Sequence, residues 1–320
     1  MKIVVPDDKP PVLAGTAEEE RLRQLGNVRI YDSLALTAEK LLHRIADAEI
    51  VVNIRASSVF SREVMKDCPR LKLISIYGVG IDNVDMRAAS DLGITVTNTP
   101  GYSAVAVGEM SLALMLAAAR RIVQNDRIMR AGGWAQGYAV QLSGKTLGVI
   151  GTGNIGQRVI ELGRSMGMKV IAWTFNPSPE RAGRYGVEFL SLDELLRRSD
   201  VLSIHLSASP RTDKLIGKRE LTLMKPTAIL INTARGSIMN EPDLIEALTN
   251  GTIAGAGLDV FAHEPLPPGH PLRSLDNVVL SPHTAAMVPE ATLVGLATAV
   301  DNVGHFLRGI PANVVRPAPQ

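Results

Sequence analysis

From its first residues the chain alternates short β-branched runs with amphipathic segments. Residues 3–5, 28–31, 50–54, 73–76 and 94–97 read as strands, and 18–25, 38–45, 63–66 and 85–92 as helices. Parallel strands need a crossover of a dozen or more residues between them, usually a helix, so this rhythm predicts a parallel sheet wrapped by helices. The turn cluster Asn98-Thr99-Pro100-Gly101 interrupts it and precedes an apolar stretch that reads as one long helix over 103–129. After Gly132-Gly133-Trp134 the alternation resumes, with strands expected at 146–150, 169–173, 201–205, 228–232, 254–259 and 278–280. The last helix, about 289–307, is long enough to return the chain to the first domain. The expectation is an α/β protein of two doubly wound parallel-sheet domains, one from 1–99 with 289–320 and one from 100–288.

Bulk properties fit that plan. A chain of 320 residues exceeds one ordinary core, and two domains offer a cleft. The net charge is only +2 and no run of like charges stands out, so neither nucleic acid nor a membrane surface is an expected partner. Cys68 has no second cysteine to pair with, reads as a packing residue, and fits a reducing cytoplasm. The opening Met-Lys-Ile-Val-Val-Pro lacks the apolar core and cleavage site of a signal peptide and reads as a strand. The apolar stretch 104–119 holds Glu109 and falls short of the ~20 apolar residues of a membrane span. No metal site is expected, and the Pro-rich tail 316–320 reads as a loose end.

Gly151-Thr152-Gly153-Asn154-Ile155-Gly156 lies between the strand 146–150 and a helix expected over 155–166. In that setting a G-x-G-x-x-G is a dinucleotide-binding Rossmann signature. Gly151 permits a tight turn, Gly153 lets a pyrophosphate approach the backbone, Gly156 allows close helix–strand packing, and the helix N-terminus offers free N–H groups to the anion. An acidic residue is expected about 20 positions on, where it would bind the ribose of NAD. The chain has Thr174 and Asn176 there instead, with Glu180 and Arg181 beyond Pro177 and Pro179 on what reads as a stiff loop. Neither NAD nor NADP is favoured strongly, and weak discrimination is expected.

Six motifs in order complete the pattern: residues 77–85 (Tyr-Gly-Val-Gly-Ile-Asp-Asn-Val-Asp), 98–101, 151–156, 232–236 (Asn-Thr-Ala-Arg-Gly), 257–265 (Gly-Leu-Asp-Val-Phe through Glu264-Pro265) and 281–284 (Ser-Pro-His-Thr). With these the chain resembles the D-isomer-specific 2-hydroxyacid dehydrogenases over nearly its whole length. The resemblance implies a flavodoxin-like substrate domain from the two chain ends, a Rossmann nucleotide domain between them, and a homodimer formed through the helical arm after Pro100. It also implies hydride transfer between a nicotinamide dinucleotide and C2 of a small 2-oxo or D-2-hydroxy acid.

Arg235 follows the strand 228–232 at a carboxyl end, where open α/β sheets bind ligands, and a guanidinium clasps a carboxylate bidentately. By resemblance it holds the substrate carboxylate and polarises the keto group, with help from the N–H groups of Val79 and Gly80. His283 follows the strand 278–280, and histidine moves a proton most readily near neutrality. The resemblance makes His283 the acid–base group and Glu264 its partner, and an adjacent anion favours the imidazolium form. His43, His205, His263, His270 and His305 lack such a setting. Also by resemblance, Asp259 orients the nicotinamide carboxamide, Thr233 lies beside the cofactor, and Arg55 lines the substrate side. Ser207 stands where the family usually has proline, two residues after His205, so that loop is expected to differ in shape. A formate- or phosphite-type dehydrogenase shares the fold, but the formate enzymes carry glutamine at the place of Glu264. A dinucleotide-sensing corepressor is the other alternative, and its disordered tails have no counterpart here.

Overall fold

The structure is a computed structural model that describes residues 1–135 and 137–317; the end of the tail, 318–320, lies outside the described residues. The chain divides into two compact units, 1–103 with 288–320 and 104–287.

In the first unit β1 (Lys2–Val5), β2 (Asn27–Ile30), β3 (Ile50–Asn53), β4 (Leu73–Ile76) and β5 (Thr95–Thr97) form a sheet in the order β2-β1-β3-β4-β5. Every pairing in it is parallel. Between the strands run α1 (Ala17–Leu25), α2 (Ala38–Ile45), α3 (Arg62–Lys66) and α4 (Met86–Asp91). Each begins where the sequence supplies a cap: Thr16, Thr37, Ser61 and Asp85 accept the N–H of the residue three positions on. That satisfies one of the orphan donors of a helix start. Strands β3 and β4 are buried along their whole length, which explains why they read as continuous apolar runs. Cys68 is a core residue whose thiol is pushed up to about 11, chiefly by burial.

The second unit opens with α5 (Ala104–Arg120) and α6 (Ile122–Arg130). Here the expected single helix over 103–129 is corrected: Arg121 adopts a left-handed conformation, φ +55, and ends the first helix. A left-handed residue cannot continue a right-handed ladder, and this one carries neither glycine nor proline to announce the break. The helix buries one face, including Leu114, Met115 and Ala119, whereas the shorter one after the break has no buried residue. Beyond them come β6 (Thr146–Ile150), α7 (Asn154–Ser165), β7 (Lys169–Trp173), α8 (Pro179–Tyr185), β8 (Glu188–Phe189), α9 (Leu192–Arg198), β9 (Val201–Ile204), α10 (Lys218–Leu223), β10 (Ile229–Asn232), α11 (Glu241–Thr249), β11 (Gly255–Leu258) and β12 (Val278–Leu280). The parallel sheet runs β12-β11-β10-β9-β6-β7-β8. A second correction falls on 177–181, expected as a stiff loop. Pro179 instead starts α8, with Ser178 as its cap, because proline is well suited to the first turn of a helix.

The final helix, α12 (Pro289–Leu307), belongs to the first unit and buries Leu296, Ala299, Val300 and Val303 in a cluster with Ile3, Ile50 and Leu73. Burying an aliphatic side chain of this size contributes ~1.5–3 kcal/mol, so the return of the chain completes that core. No described helix is long and apolar enough to cross a membrane.

Candidate active site

In the second unit β7 lies on one side of β6 and β9 on the other. Strand order reverses between β6 and β9, and at such a switch point the carboxyl ends of an open sheet leave a crevice for ligands. The glycine-rich turn occupies that place. Gly151 has φ +90, and a Cβ on it would lie 2.4 Å from the carbonyl oxygen of His205, just past β9. A Cβ on Gly156 would lie 2.0 Å from the carbonyl oxygen of Gly151, so the helix can sit against the turn only as glycine. Gly153 caps α7 without a side-chain hydrogen bond, and a Cβ there would meet nothing within 4 Å. The first turn of α7, with Asn154 and Ile155, therefore presents its N–H groups to open space, which fits a pyrophosphate.

Helix α8 brings Arg181 back to this turn. Its guanidinium donates to the Thr152 hydroxyl at 2.7 Å and to the Asn176 carbonyl at 2.5 Å. Thr174 is half-buried and Asn176 exposed beside it. Sequence reasoning missed a second cation, Arg211, whose guanidinium lies 4.2 Å from the centre of the Phe175 ring. Its only sequence signal is its place on the segment after His205.

The residues expected to do the chemistry follow β10, β11 and β12. At the end of β10 the Asn232 side chain accepts from Ala234 N–H and donates to the Arg235 carbonyl, both at 3.0 Å, which shapes the turn that presents Arg235. The Arg235 guanidinium donates to the Ala234 carbonyl at 2.7 Å. The Thr233 hydroxyl, expected beside the cofactor, is paired with Ser111 of α5 at 2.8 Å. Past β11, Phe261 N–H donates to Glu264 Oε1 at 3.0 Å, and Glu264 Oε2 lies 2.6 Å from His283 Nδ1. Partial burial would raise the Glu264 carboxyl. The hydrogen bonds from His283 and Phe261 and the charges of His283 and Arg235 outweigh it and hold the group below its ordinary value.

His283 itself sits at φ +55 after β12. The buried Asp259 fixes that turn by accepting Thr284 N–H and Ala285 N–H, each at 3.0 Å. Glu241 supports the facing segment: it accepts Ala262 N–H at 3.0 Å and lies 3.1 Å from His270 Nε2. Sequence reasoning named Asp259 for the nicotinamide and not for this turn, and it missed Glu241. Burial pushes His205 down to about 3, so its ring is neutral near neutral pH and cannot supply a proton as an imidazolium. Among the described residues no cluster of histidine, cysteine and carboxylates could hold a metal ion.

In the first unit Arg55 donates to the Pro10 carbonyl, and Asn98 Nδ2 holds the Val79 carbonyl at 2.8 Å. Gly78 N–H donates to the Thr99 hydroxyl at 2.9 Å. The motif at 98–101 is thus tied to the one at 77–80.

A switch-point crevice with a dinucleotide turn, and an arginine, a carboxylate and the histidine it holds after three consecutive strands of the sheet, define a dinucleotide-dependent dehydrogenase. Residues 112–285 match the family model "D-isomer specific 2-hydroxyacid dehydrogenase, NAD binding domain". The chain is 43% identical over 287 residues to a glyoxylate reductase of Aeropyrum pernix, covering 87% of this chain and 85% of that one. It is similar to the D-lactate dehydrogenase of Aquifex aeolicus solved with NAD and lactic acid, at 29% identity and TM-score 0.87, with 100% of both chains covered. It is equally similar to an acyclic imino acid reductase (Bsp5) solved with NADPH and D-Arg, at 29% identity and TM-score 0.89, with 98% of this chain and 100% of that one covered. The chain belongs to the D-isomer-specific 2-hydroxyacid dehydrogenase family. It is an NAD(P)-dependent oxidoreductase that transfers hydride between the nicotinamide and a 2-hydroxy or 2-oxo acid.

Proposed function

We propose that this enzyme reduces small 2-oxo acids of the glyoxylate and hydroxypyruvate type through Arg235, Glu264 and His283. The observation that carries the reading is the 2.6 Å contact between His283 Nδ1 and Glu264 Oε2. With Nδ1 committed to the carboxylate, Nε2 is the nitrogen left to protonate the oxygen that becomes the hydroxyl. Arg235 clasps the substrate carboxylate with its planar fork and polarises the keto group. When bound, the dinucleotide supplies the hydride. Gly151, Gly153, Asn154, Ile155 and Gly156 hold its pyrophosphate, Asp259 and Thr233 face the nicotinamide half, and Thr174, Asn176 and Arg181 face the ribose. For the first unit the assignment of Arg55, Val79 and Gly80 to the substrate rests on resemblance to the family. It is supported by the Val79 and Gly80 N–H groups, which donate to no described residue.

Both cofactors serve in this reading: no carboxylate stands at Thr174 to repel a 2′-phosphate, and Arg181 supplies a cation near the ribose end of the turn. The protein is a cytoplasmic homodimer in the same reading, joined through the arm of α5, α6 and the segment after it, where Ile122, Met129, Trp134 and Tyr138 are exposed. The test is one set of rates: NADH and NADPH oxidation on glyoxylate, hydroxypyruvate, pyruvate, phenylpyruvate and phosphohydroxypyruvate. Fastest turnover on the first two is expected. Turnover confined to phenylpyruvate or to the phosphorylated acid would replace the proposed substrate class.

A further inference from the structure

Asp7, at the end of β1, is fully buried and lies outside every motif considered so far. Its Oδ1 accepts Ile54 N–H at 3.0 Å, and its Oδ2 accepts Arg55 N–H at 3.1 Å and Asn53 Nδ2 at 2.8 Å. The second hydrogen of the Asn53 amide goes to the Arg55 carbonyl at 2.9 Å. With both hydrogens turned this way, Asn53 Oδ1 faces Asn83 and accepts its Nδ2 at 2.9 Å, while Asn83 Nδ2 also donates to the Ser58 carbonyl at 2.8 Å. Asn53 and Asn83 are buried as well, 1% and 6% exposed, so no solvent stands in for a lost partner. The chain Asp7–Asn53–Asn83 therefore has a single direction, set at one end by a group that only accepts.

That chain joins two segments far apart in sequence. One is 53–58, which carries Arg55; the other is 77–85, which carries Val79 and Gly80. Phe60 N–H donates to the Asn83 carbonyl at 2.7 Å and Tyr77 N–H to the Asn53 carbonyl at 2.9 Å, which ties the same segments through the backbone. We propose that Asp7 is a positioning residue: through the Asn53–Asn83 amide chain it sets the mutual placement of the Arg55 segment and the Val79–Gly80 segment, and with it the affinity for the 2-oxo acid. The inference rests on the assignment of those two segments to the substrate.

The chemistry of the chain explains why an aspartate is required. Burial pushes its carboxyl up against the opposing backbone hydrogen bonds of Ile54 and Arg55, so water would provide a better environment for the charge. An asparagine of the same size would turn an N–H₂ group toward donors whichever way it rotates. Flipping Asn53 to accommodate it would then set donor against donor at Asn83. A mismatch at residue 7 thus propagates to residue 83 with no change in volume, and each buried group left unpaired is costly.

The test compares Asp7→Asn and Asn83→Leu with the wild type by amide hydrogen exchange and steady-state kinetics on the full chain. In Asp7→Asn, exchange over both 53–58 and 77–85 is expected to accelerate about tenfold or more, with the amides of α1 and α12 unchanged. KM for the 2-oxo acid should rise about tenfold or more, while kcat and dinucleotide affinity by fluorescence titration stay within about twofold. Asn83→Leu, which cuts the far end, should raise the same KM and loosen 77–85 while leaving 54–55 protected. Acceleration throughout the first unit with a falling melting temperature would make Asp7 merely structural and overturn the proposal. So would loosening confined to 53–58, or loosening of both segments with KM unmoved. A wild type that reduces no 2-oxo acid would instead overturn the substrate assignment, and the exchange data would still decide whether Asp7 links the two segments.

Discussion

His283 Nδ1 and Glu264 Oε2 meet at 2.6 Å, and the histidine is presented from a left-handed backbone at φ +55. A non-glycine residue in that conformation carries a cost of ~1–3 kcal/mol that the surroundings must offset. Asp259 does so by holding the next two N–H groups, Thr284 and Ala285, at 3.0 Å. Ring orientation and backbone turn are thus fixed by two carboxylates that follow the same strand.

In the proposed reading, removing the ring removes the proton donor. His283→Ala should lower kcat for 2-oxo acid reduction by about 10²–10⁴-fold, the usual contribution of general acid–base catalysis. Dinucleotide affinity, followed by nicotinamide fluorescence, should survive. Near-normal turnover would show that another group protonates the substrate.

Glu264 is held below its ordinary value of 4.5, and the sign of the consequence follows. A carboxyl lowered on folding contributes stability that is fully present above its unfolded value and is lost as pH falls through the lowered one. Wild type should therefore melt above Glu264→Gln at neutral pH, and the gap should close as pH drops below about 4.5. Melting curves of the two proteins across that range provide the check. The variant should also turn over more slowly, by up to about 10²-fold, because its imidazole is no longer held in place.

Arg235→Lys keeps the charge and loses the planar fork. Losing one charge-assisted hydrogen bond costs ~1.5–3 kcal/mol, so kcat/KM should fall about 10- to 100-fold for every 2-oxo acid tested. A loss limited to one substrate would mean that Arg235 reads the side chain instead of the shared carboxylate.

Cofactor choice should be loose. With no carboxylate at Thr174 to repel a 2′-phosphate and Arg181 beside the turn, discrimination between NADH and NADPH is expected below about 100-fold, or ~2.8 kcal/mol. Arg181→Ala should lower kcat/KM for NADPH about tenfold or more and leave NADH nearly unchanged. An NADPH preference that survives this substitution would transfer the role to Arg211, which Arg211→Ala would then test.

Much of the fold is written locally. Strands 73–76, 146–150, 169–173 and 278–280 coincide with their expected limits, because a parallel strand covered on both faces reads as a short, largely apolar run bounded by turn residues. The turn at 151–156 is legible for the same reason: close approach and positive φ demand glycine at fixed spacing. The break at Arg121 and the helix at Pro179 escape such reading, since arginine does not announce a left-handed turn and two prolines in four residues resemble a loop.

The chemistry divides along the same line. Arg235, Glu264 and His283 are proposed from motifs, because the proposed chemistry calls for those residue types at strand ends. Only the tertiary structure decides that Asp259 braces the histidine turn, that Glu241 braces the segment facing it, that Arg181 reaches back to Thr152, and that Asp7 orders two amides as far away as Asn83. Hydrogen bonds act over about 3 Å of space whatever the distance along the chain, and one sequence records the donors and acceptors without recording which of them meet.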